Sequence, residues 1–152
     1  MVKVMASGVF DIIHLGHVHY LKESKKLGDE LVVVVATDDT VRRFKHEPIN
    51  SEQIRVQLVS ELKPVDKAVL GHEGDMYKIV EEIKPDIITL GYDQSFNIDE
   101  IKTELEKRGL KVKIEKVTEL DLDLSGTRKI IRKIISLWNF QKKMEEIENT
   151  GK

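Results

Sequence analysis

Val2-Lys3-Val4-Met5-Ala6-Ser7-Gly8-Val9-Phe10-Asp11-Ile12-Ile13-His14-Leu15-Gly16-His17 carries the transition that decides the fold. Val2 to Ala6 is an apolar run and reads as a strand. A glycine-bounded loop follows, and His17 to Leu27 reads as a helix. A strand that passes through a loop into a helix is the repeating unit of a parallel α/β sheet. The start of that first helix is also where such a protein holds an anion. Free N–H groups and the helix dipole converge there. Gly8 and Gly16 let a ligand approach the backbone without a Cβ in the way. His14 and His17 can donate hydrogen bonds to phosphate oxygens.

The same alternation continues outward. Gly28-Asp29 turns the chain into Glu30-Leu31-Val32-Val33-Val34-Val35-Ala36, a continuous β-branched run expected to be a strand buried on both faces. Thr37-Asp38-Asp39 lies at its end. Arg42-Arg43-Phe44-Lys45 reads as a basic surface stretch, and Pro48 breaks the pattern. Asn50 and Gln53 resemble a capping pair for a helix that reaches about Leu62, before Pro64. Further strands are expected at residues 66–70, 86–90 and 110–117, with helices at 76–84 and 99–108. Gly109 closes the second of these helices. Ser125-Gly126-Thr127-Arg128 opens a last helix with apolar Ile130, Ile131, Ile134, Ile135 and Trp138.

Strict βα alternation predicts an α/β fold: a Rossmann-like, doubly wound, five-stranded parallel sheet in three α/β/α layers. Residues 1–140 read as a single domain and residues 141–152 as a polar C-terminal tail of the last helix. Ligands of such sheets sit beyond the strand C-termini. The His14–His17 loop, Asp38, Asp93 and the Ser125–Arg128 turn all fall at that rim.

Composition narrows the function classes. A charged fraction of 34% beside 40% hydrophobic residues fits a water-soluble domain, and no apolar run approaches the ~18 residues of a membrane span. There is no signal-peptide pattern, so a cytoplasmic location is expected. The absence of cysteine excludes disulfides, thiolate metal sites and a thiol nucleophile. A net charge of −2 argues against bulk nucleic-acid binding.

Three readings of the histidine motif compete. Phosphate chemistry needs only fixed donors and a helix start. A metal cluster of His14, His17 and His19 lacks a carboxylate on the same face. A purely structural role would have the histidines cap the helix. Neither a Walker A loop nor Gly-x-Gly-x-x-Gly is present, which removes the usual support for kinase and nicotinamide readings.

Gly8, Phe10, Asp11, His14, Gly16 and His17 resemble the Gly-Thr-Phe-Asp-x-x-His-x-Gly-His pattern of the cytidylyltransferase-like nucleotidyltransferase family, with Val9 in place of Thr. The likeness extends to about Ile135, and the family fold is Rossmann-like of the HUP type. Ser125-Gly126-Thr127-Arg128-Lys129-Ile130 resembles the second family signature, with Gly126 where a hydroxyl residue is usual. The resemblance implies a catalytic set of His14, His17, Lys45 and Arg128. Arg42 or Arg43 could take the part of Lys45. It implies nucleotide contacts at Val9, Phe10, His14, Leu15, Gly16, His17, Asp93, Ser125 and Thr127. Asp11 and Asp38 are implied to organise the acceptor or the loop. No protein-held metal is implied.

Leu70-Gly71-His72-Glu73-Gly74-Asp75 and Leu90-Gly91-Tyr92-Asp93-Gln94 are most similar to the archaeal FAD synthases. That resemblance implies transfer of AMP from ATP to FMN, giving FAD and pyrophosphate, with Mg²⁺ or another divalent cation carried by the ATP. It implies no nucleic-acid or membrane partner, and a homodimer. A glycerol-3-phosphate cytidylyltransferase-like enzyme using CTP and a non-catalytic nucleotide sensor remain open alternatives. Phe44, Tyr92, Phe96, Trp138 and Phe140 are candidates for an isoalloxazine slot. Trp138 and Phe140 are expected instead to pack the last helix against a partner subunit.

Overall fold

The structure is a computed structural model that describes residues 1–44, 46–92, 94 and 96–151. Five strands and six helices follow one another among them. β1 is Lys3–Gly8, α1 Leu15–Lys25, β2 Glu30–Val35, α2 Asp38–Phe44 and α3 Glu52–Ser60. β3 is Lys67–Leu70, α4 Lys78–Ile83, β4 Ile87–Leu90, α5 Ile98–Lys107, β5 Lys113–Lys116 and α6 Thr127–Thr150. The strands form one parallel sheet in the order β3-β2-β1-β4-β5. The expected five-stranded Rossmann-like fold is borne out.

Side-chain alternation along the central strands divides the core into two faces. Val4 and Ala6 of β1 and Leu31, Val33 and Val35 of β2 meet Tyr20 and Leu21 of α1 and Val59 of α3. Met5 and Val34 point the other way, toward Ile79 and Val80 of α4 and Ile101 and Leu105 of α5. Both central strands are therefore covered on both sides, as their unbroken apolar runs require. The edge strands carry Lys67, Lys113, Glu115 and Lys116, charges that discourage pairing with another sheet.

Local details depart from the expectations at three places. α1 begins at Leu15 with His14 as its N-cap, two residues before the expected start. Arg42–Phe44 belong to α2 rather than to a loop. Asp38 and Asp39 stand in the first turn of α2 and Arg42 and Arg43 in the last, an order that matches the helix dipole. The Thr37 hydroxyl accepts from the Thr40 N–H at 3.2 Å and caps this short helix. Ser51 rather than Asn50 caps α3, accepting from the Ile54 N–H. Asn50 is drawn off because its side chain donates to the Asp11 carbonyl at 2.6 Å.

α6 continues unbroken to Thr150, through residues that read as a polar tail. Gly109 ends α5 as expected. Its φ of +71° is left-handed, and the Leu110 N–H returns to the Leu105 carbonyl at 2.9 Å.

Candidate active site

The sheet order reverses between β1 and β4, and the crevice between their C-terminal ends is where open α/β sheets bind ligands. The β1–α1 loop borders it. Phe10 takes a left-handed φ of 53°, a conformation that costs of order 1–3 kcal/mol in a bulky residue. Its ring is buried, lies within van der Waals reach of Gly8, and stands 5.2 Å from the His17 ring. The burial of that ring holds the chain in the sharp turn that aims the next residues at α1.

His14 and His17 stack with ring centroids 3.7 Å apart and planes inclined by 26°. The Gly16 N–H donates to Nδ1 of His14 at 3.1 Å. The His14 N–H makes a long 3.4 Å bond to Nδ1 of His17. Together they form a capping box made of imidazoles in place of Ser and Glu. Each ring meets a backbone N–H through Nδ1, and a neutral imidazole that accepts there would donate from Nε2. The pair thus caps the helix through one ring nitrogen of each imidazole. Capping and ligand binding are compatible here because imidazole has two nitrogens. His19 is turned away, with Nε2 3.1 Å from the Thr118 carbonyl, and no group of three or more His, Asp or Glu suited to a metal occurs among the described residues.

The two sequence signatures meet at Gly16. A Cβ built there would lie 2.6 Å from the Ser125 carbonyl oxygen and 2.8 Å from the His14 ring. The turn before α6 is thereby seated on the start of α1. Ser125 is buried; its hydroxyl donates to the Leu122 carbonyl at 2.7 Å and accepts from the Leu122 N–H. Gly126 caps α6 without a side-chain bond, and neither α1 nor α6 has an acidic residue in its first turn. Two adjacent helix starts of this kind attract anions. Thr127 and the exposed Arg128 stand in the first turn of α6. Leu15, also exposed, and Gly16 stand in the first turn of α1.

Asp11 is buried, and both of its carboxylate oxygens accept backbone N–H groups, from Ile49 and Asn50 at 2.8 Å each. It therefore ties the loop before α3 to the β1–α1 loop. Asp38 faces Arg55, whose Nη2 donates to Oδ1 at 2.7 Å. Burial by itself would raise the Asp38 carboxyl. The Arg55 hydrogen bond, the Glu52 N–H and the charges of Arg55 and Arg42 outweigh it and hold the group below the usual carboxylate range. Lys45 and Asp93, both singled out in the sequence, lie outside the described residues.

Two residues of this region escaped the sequence reading. Arg55 is fully buried; besides Asp38 it donates to the carbonyls of Val9 at 2.9 Å, Ala36 at 2.7 Å and Asn50 at 3.0 Å. The available signal was its place four residues before buried Val59, on the apolar side of α3. Gln94 spans the crevice: its amide donates to the Ser7 carbonyl at 3.0 Å and its oxygen accepts from the Gly91 N–H at 2.7 Å. It closes the Leu90–Gln94 stretch that resembles the archaeal FAD synthases, but no role for its side chain was legible there.

Comparison with known proteins agrees with this geometry. The family model described as cytidylyltransferase-like matches residues 5–148. The chain is 62% identical over 136 residues to a FAD synthase of Aciduliprofundum boonei, covering 89% of this chain and 91% of that one. It is 58% identical over 137 residues to a FAD synthase of Thermoplasma volcanium, covering 90% and 96%. Among solved structures, one described as a lipopolysaccharide core biosynthesis protein from Thermoplasma volcanium superposes with a TM-score of 0.79 at 62% identity, over 80% of this chain and 99% of that one. A pantoate-beta-alanine ligase from Francisella tularensis shares the fold alone, at 16% identity and a TM-score of 0.57, over 79% and 60%. The stacked histidines, the helix starts joined at Gly16 and these relatives lead to one conclusion: the chain belongs to the cytidylyltransferase-like family.

Proposed function

We propose that the chain is a FAD synthase, transferring AMP from ATP to FMN. The observation that carries the nucleotidyl-transfer step is the stacked His14–His17 pair on a helix start that touches the turn before α6. The FMN acceptor rests on the relatives of 62% and 58% identity that bear that name.

In this reading a phosphate oxygen of FMN attacks the α-phosphorus of ATP in line. A P–O bond forms to FMN, the α–β bridging P–O bond breaks, and pyrophosphate leaves. No covalent intermediate with the protein is required. His14 and His17 donate to the oxygens on which charge accumulates, which lowers the transition state more than the ground state. Backbone of Val9, Phe10, Leu15, Gly16, Ser125 and Thr127 cradles the nucleotide. Lys45 and Arg128 neutralise the departing pyrophosphate. Asp93 contacts the nucleotide, and Asp11 and Asp38 shape the acceptor side through the loops they tie. Tyr92 and Phe96 follow β4 at the same rim with exposed rings, and they offer the flavin an aromatic surface. A Mg²⁺ ion carried by ATP would offset the charge of the triphosphate, and Asp11, whose oxygens accept two backbone N–H groups, would not be needed to hold it. The reaction is placed in the cytoplasm, where ATP is supplied, and the working form is a homodimer. Among the described residues no helix is long and apolar enough to cross a membrane.

Incubation with FMN and ATP, and separately with glycerol 3-phosphate and CTP, tests this by product mass. FAD with release of pyrophosphate is expected. CDP-glycerol alone would overturn the acceptor assignment. Nucleotide binding without pyrophosphate from either mixture would reduce the protein to a sensor.

A further inference from the structure

β1 stays paired with β2 to its last residue, Gly8 opposite Val35, but with β4 only as far as Ala6 opposite Thr89. The Tyr20 hydroxyl sits at the end of the β1–β4 ladder. It accepts from the Ser7 N–H at 3.3 Å and donates to the Thr89 carbonyl at 2.8 Å. The Ser24 hydroxyl lies 2.7 Å from that of Thr89. α1 therefore pins both strands at this level. One step further along, the Ser7 carbonyl and the Gly91 N–H are bridged by the Gln94 side chain, which donates to Ser7 at 3.0 Å and accepts from Gly91 at 2.7 Å. A turn closed by the Gln94 N–H on the Gly91 carbonyl, at 3.2 Å, carries the side chain back over the gap. A carbonyl only accepts and a backbone N–H only donates, so these two partners fix the orientation of the amide. A direct rung would hold the two backbone groups about 2.9 Å apart. The inserted amide adds its own breadth and a second hydrogen bond. Gln94 is thus a spacer of set length, placed where the strand order reverses.

We propose that Gln94 is a positioning residue that sets the width of the β1–β4 crevice, and with it the size of base admitted there: a two-ring purine ahead of a one-ring pyrimidine. The proposal rests on the reading of this crevice as the nucleotide site. The starts of α1 and α6 take the phosphates, which leaves the rim between Ser7 and Gly91 to the base. Gln94 acts through the two strands, so its effect falls on the nucleoside and not on the phosphates.

Titration calorimetry of the full chain with ATP, CTP and inorganic tripolyphosphate, in the absence of flavin, tests the proposal. The wild type is expected to bind ATP at least about tenfold more tightly than CTP. Gln94→Asn shortens the spacer by one methylene and narrows the gap. It should weaken ATP about tenfold and CTP less than about twofold, which removes most of the preference. Gln94→Glu keeps the length but sets an oxygen against the Ser7 carbonyl, and it should weaken ATP as well. Tripolyphosphate should bind all three proteins alike, a result that a general loss of structure would not give. In FAD formation, Gln94→Asn should raise KM for ATP with kcat nearly unchanged. A wild type without preference overturns the proposal. So does an ATP affinity unchanged in both variants, a parallel fall of ATP and CTP in Gln94→Asn, or a fall in tripolyphosphate binding. Because the titrations contain no FMN, a failure to form FAD would strike the acceptor assignment and leave their outcome standing.

Discussion

Arg55 and Asp38 lie 2.7 Å apart, and through this pair α3 holds the ends of two strands. The guanidinium is fully buried and also donates to the carbonyls of Val9, beyond β1, and Ala36, beyond β2. Four acceptors share one planar fork. Replacing it leaves a carboxylate and three carbonyls without their donor. Arg55→Met is therefore expected to cost about 3–5 kcal/mol in urea unfolding. FAD formation should fall about 10²-fold with it, because the β1–α1 loop loses its anchor. Arg55→Lys keeps the charge but not the fork, and it should rescue neither quantity.

His14 caps α1, and a choice of substitution can separate that role from the proposed phosphate contact. His14→Ala removes the cap of α1 and, in the proposed mechanism, a phosphate donor. Stability should drop by about 1 kcal/mol and turnover by ~10²-fold or more. His14→Asn can still accept from a backbone N–H, so the unfolding midpoint should recover while turnover stays low. His17→Ala should show the same loss of turnover. Near-normal turnover in both alanine variants would remove the histidines from the mechanism.

Gly16→Ala tests the junction of the two signatures. The added Cβ would meet the Ser125 carbonyl at 2.6 Å, and backbone on one side has to move. A displacement of about 1 Å between the two helix starts is expected to lower kcat/KM for ATP by roughly 10²-fold. Steady-state kinetics at fixed FMN read this directly. An unchanged kcat/KM would mean that the two helix starts do not act on one ligand.

Asp38 and Asp66 are expected to contribute to the acid limb of stability. Asp66 is lowered by its hydrogen bonds from Lys25 at 2.6 Å and from the Leu31 N–H at 2.7 Å, against some desolvation. Both folded carboxyls lie below their ordinary values. Their contribution is thus complete above the unfolded aspartate value near 4 and is lost as pH falls below it through the folded values. Urea midpoints measured from neutral pH down to about 3 should decline most below pH 4. Asp38→Asn should flatten that decline, and a limb unchanged in this variant would show that its ion pair is not the source.

Much of this molecule was legible along the chain. Both central strands, the three following βα units and the His14–His17 pair were read from residue spacing. α2 was not, because seven residues with a single buried apolar side chain, Val41, leave no helical period to see. The capping assignment at Asn50 was reasonable by local chemistry. It was overridden by Asp11, a residue 39 positions away. Asp11 itself could be read as an acceptor ligand in sequence; in the structure its oxygens are occupied by two backbone N–H groups.

The sequence by itself determined the order of the five strands and of every helix but α2, and marked the start of α1 as the candidate anion site. Those properties are written in nearest-neighbour spacing, through the two-residue period of a strand and the 3.6-residue period of a helix. Only the tertiary structure decided which distant residues share that site. It set Ser125 on Gly16, sank Arg55 between Val9, Ala36 and Asp38, and stretched Gln94 from Gly91 to Ser7. A buried arginine and an exposed one look alike in a sequence. The difference between them is made by segments far along the chain, brought together as the sheet assembles in the order β3-β2-β1-β4-β5.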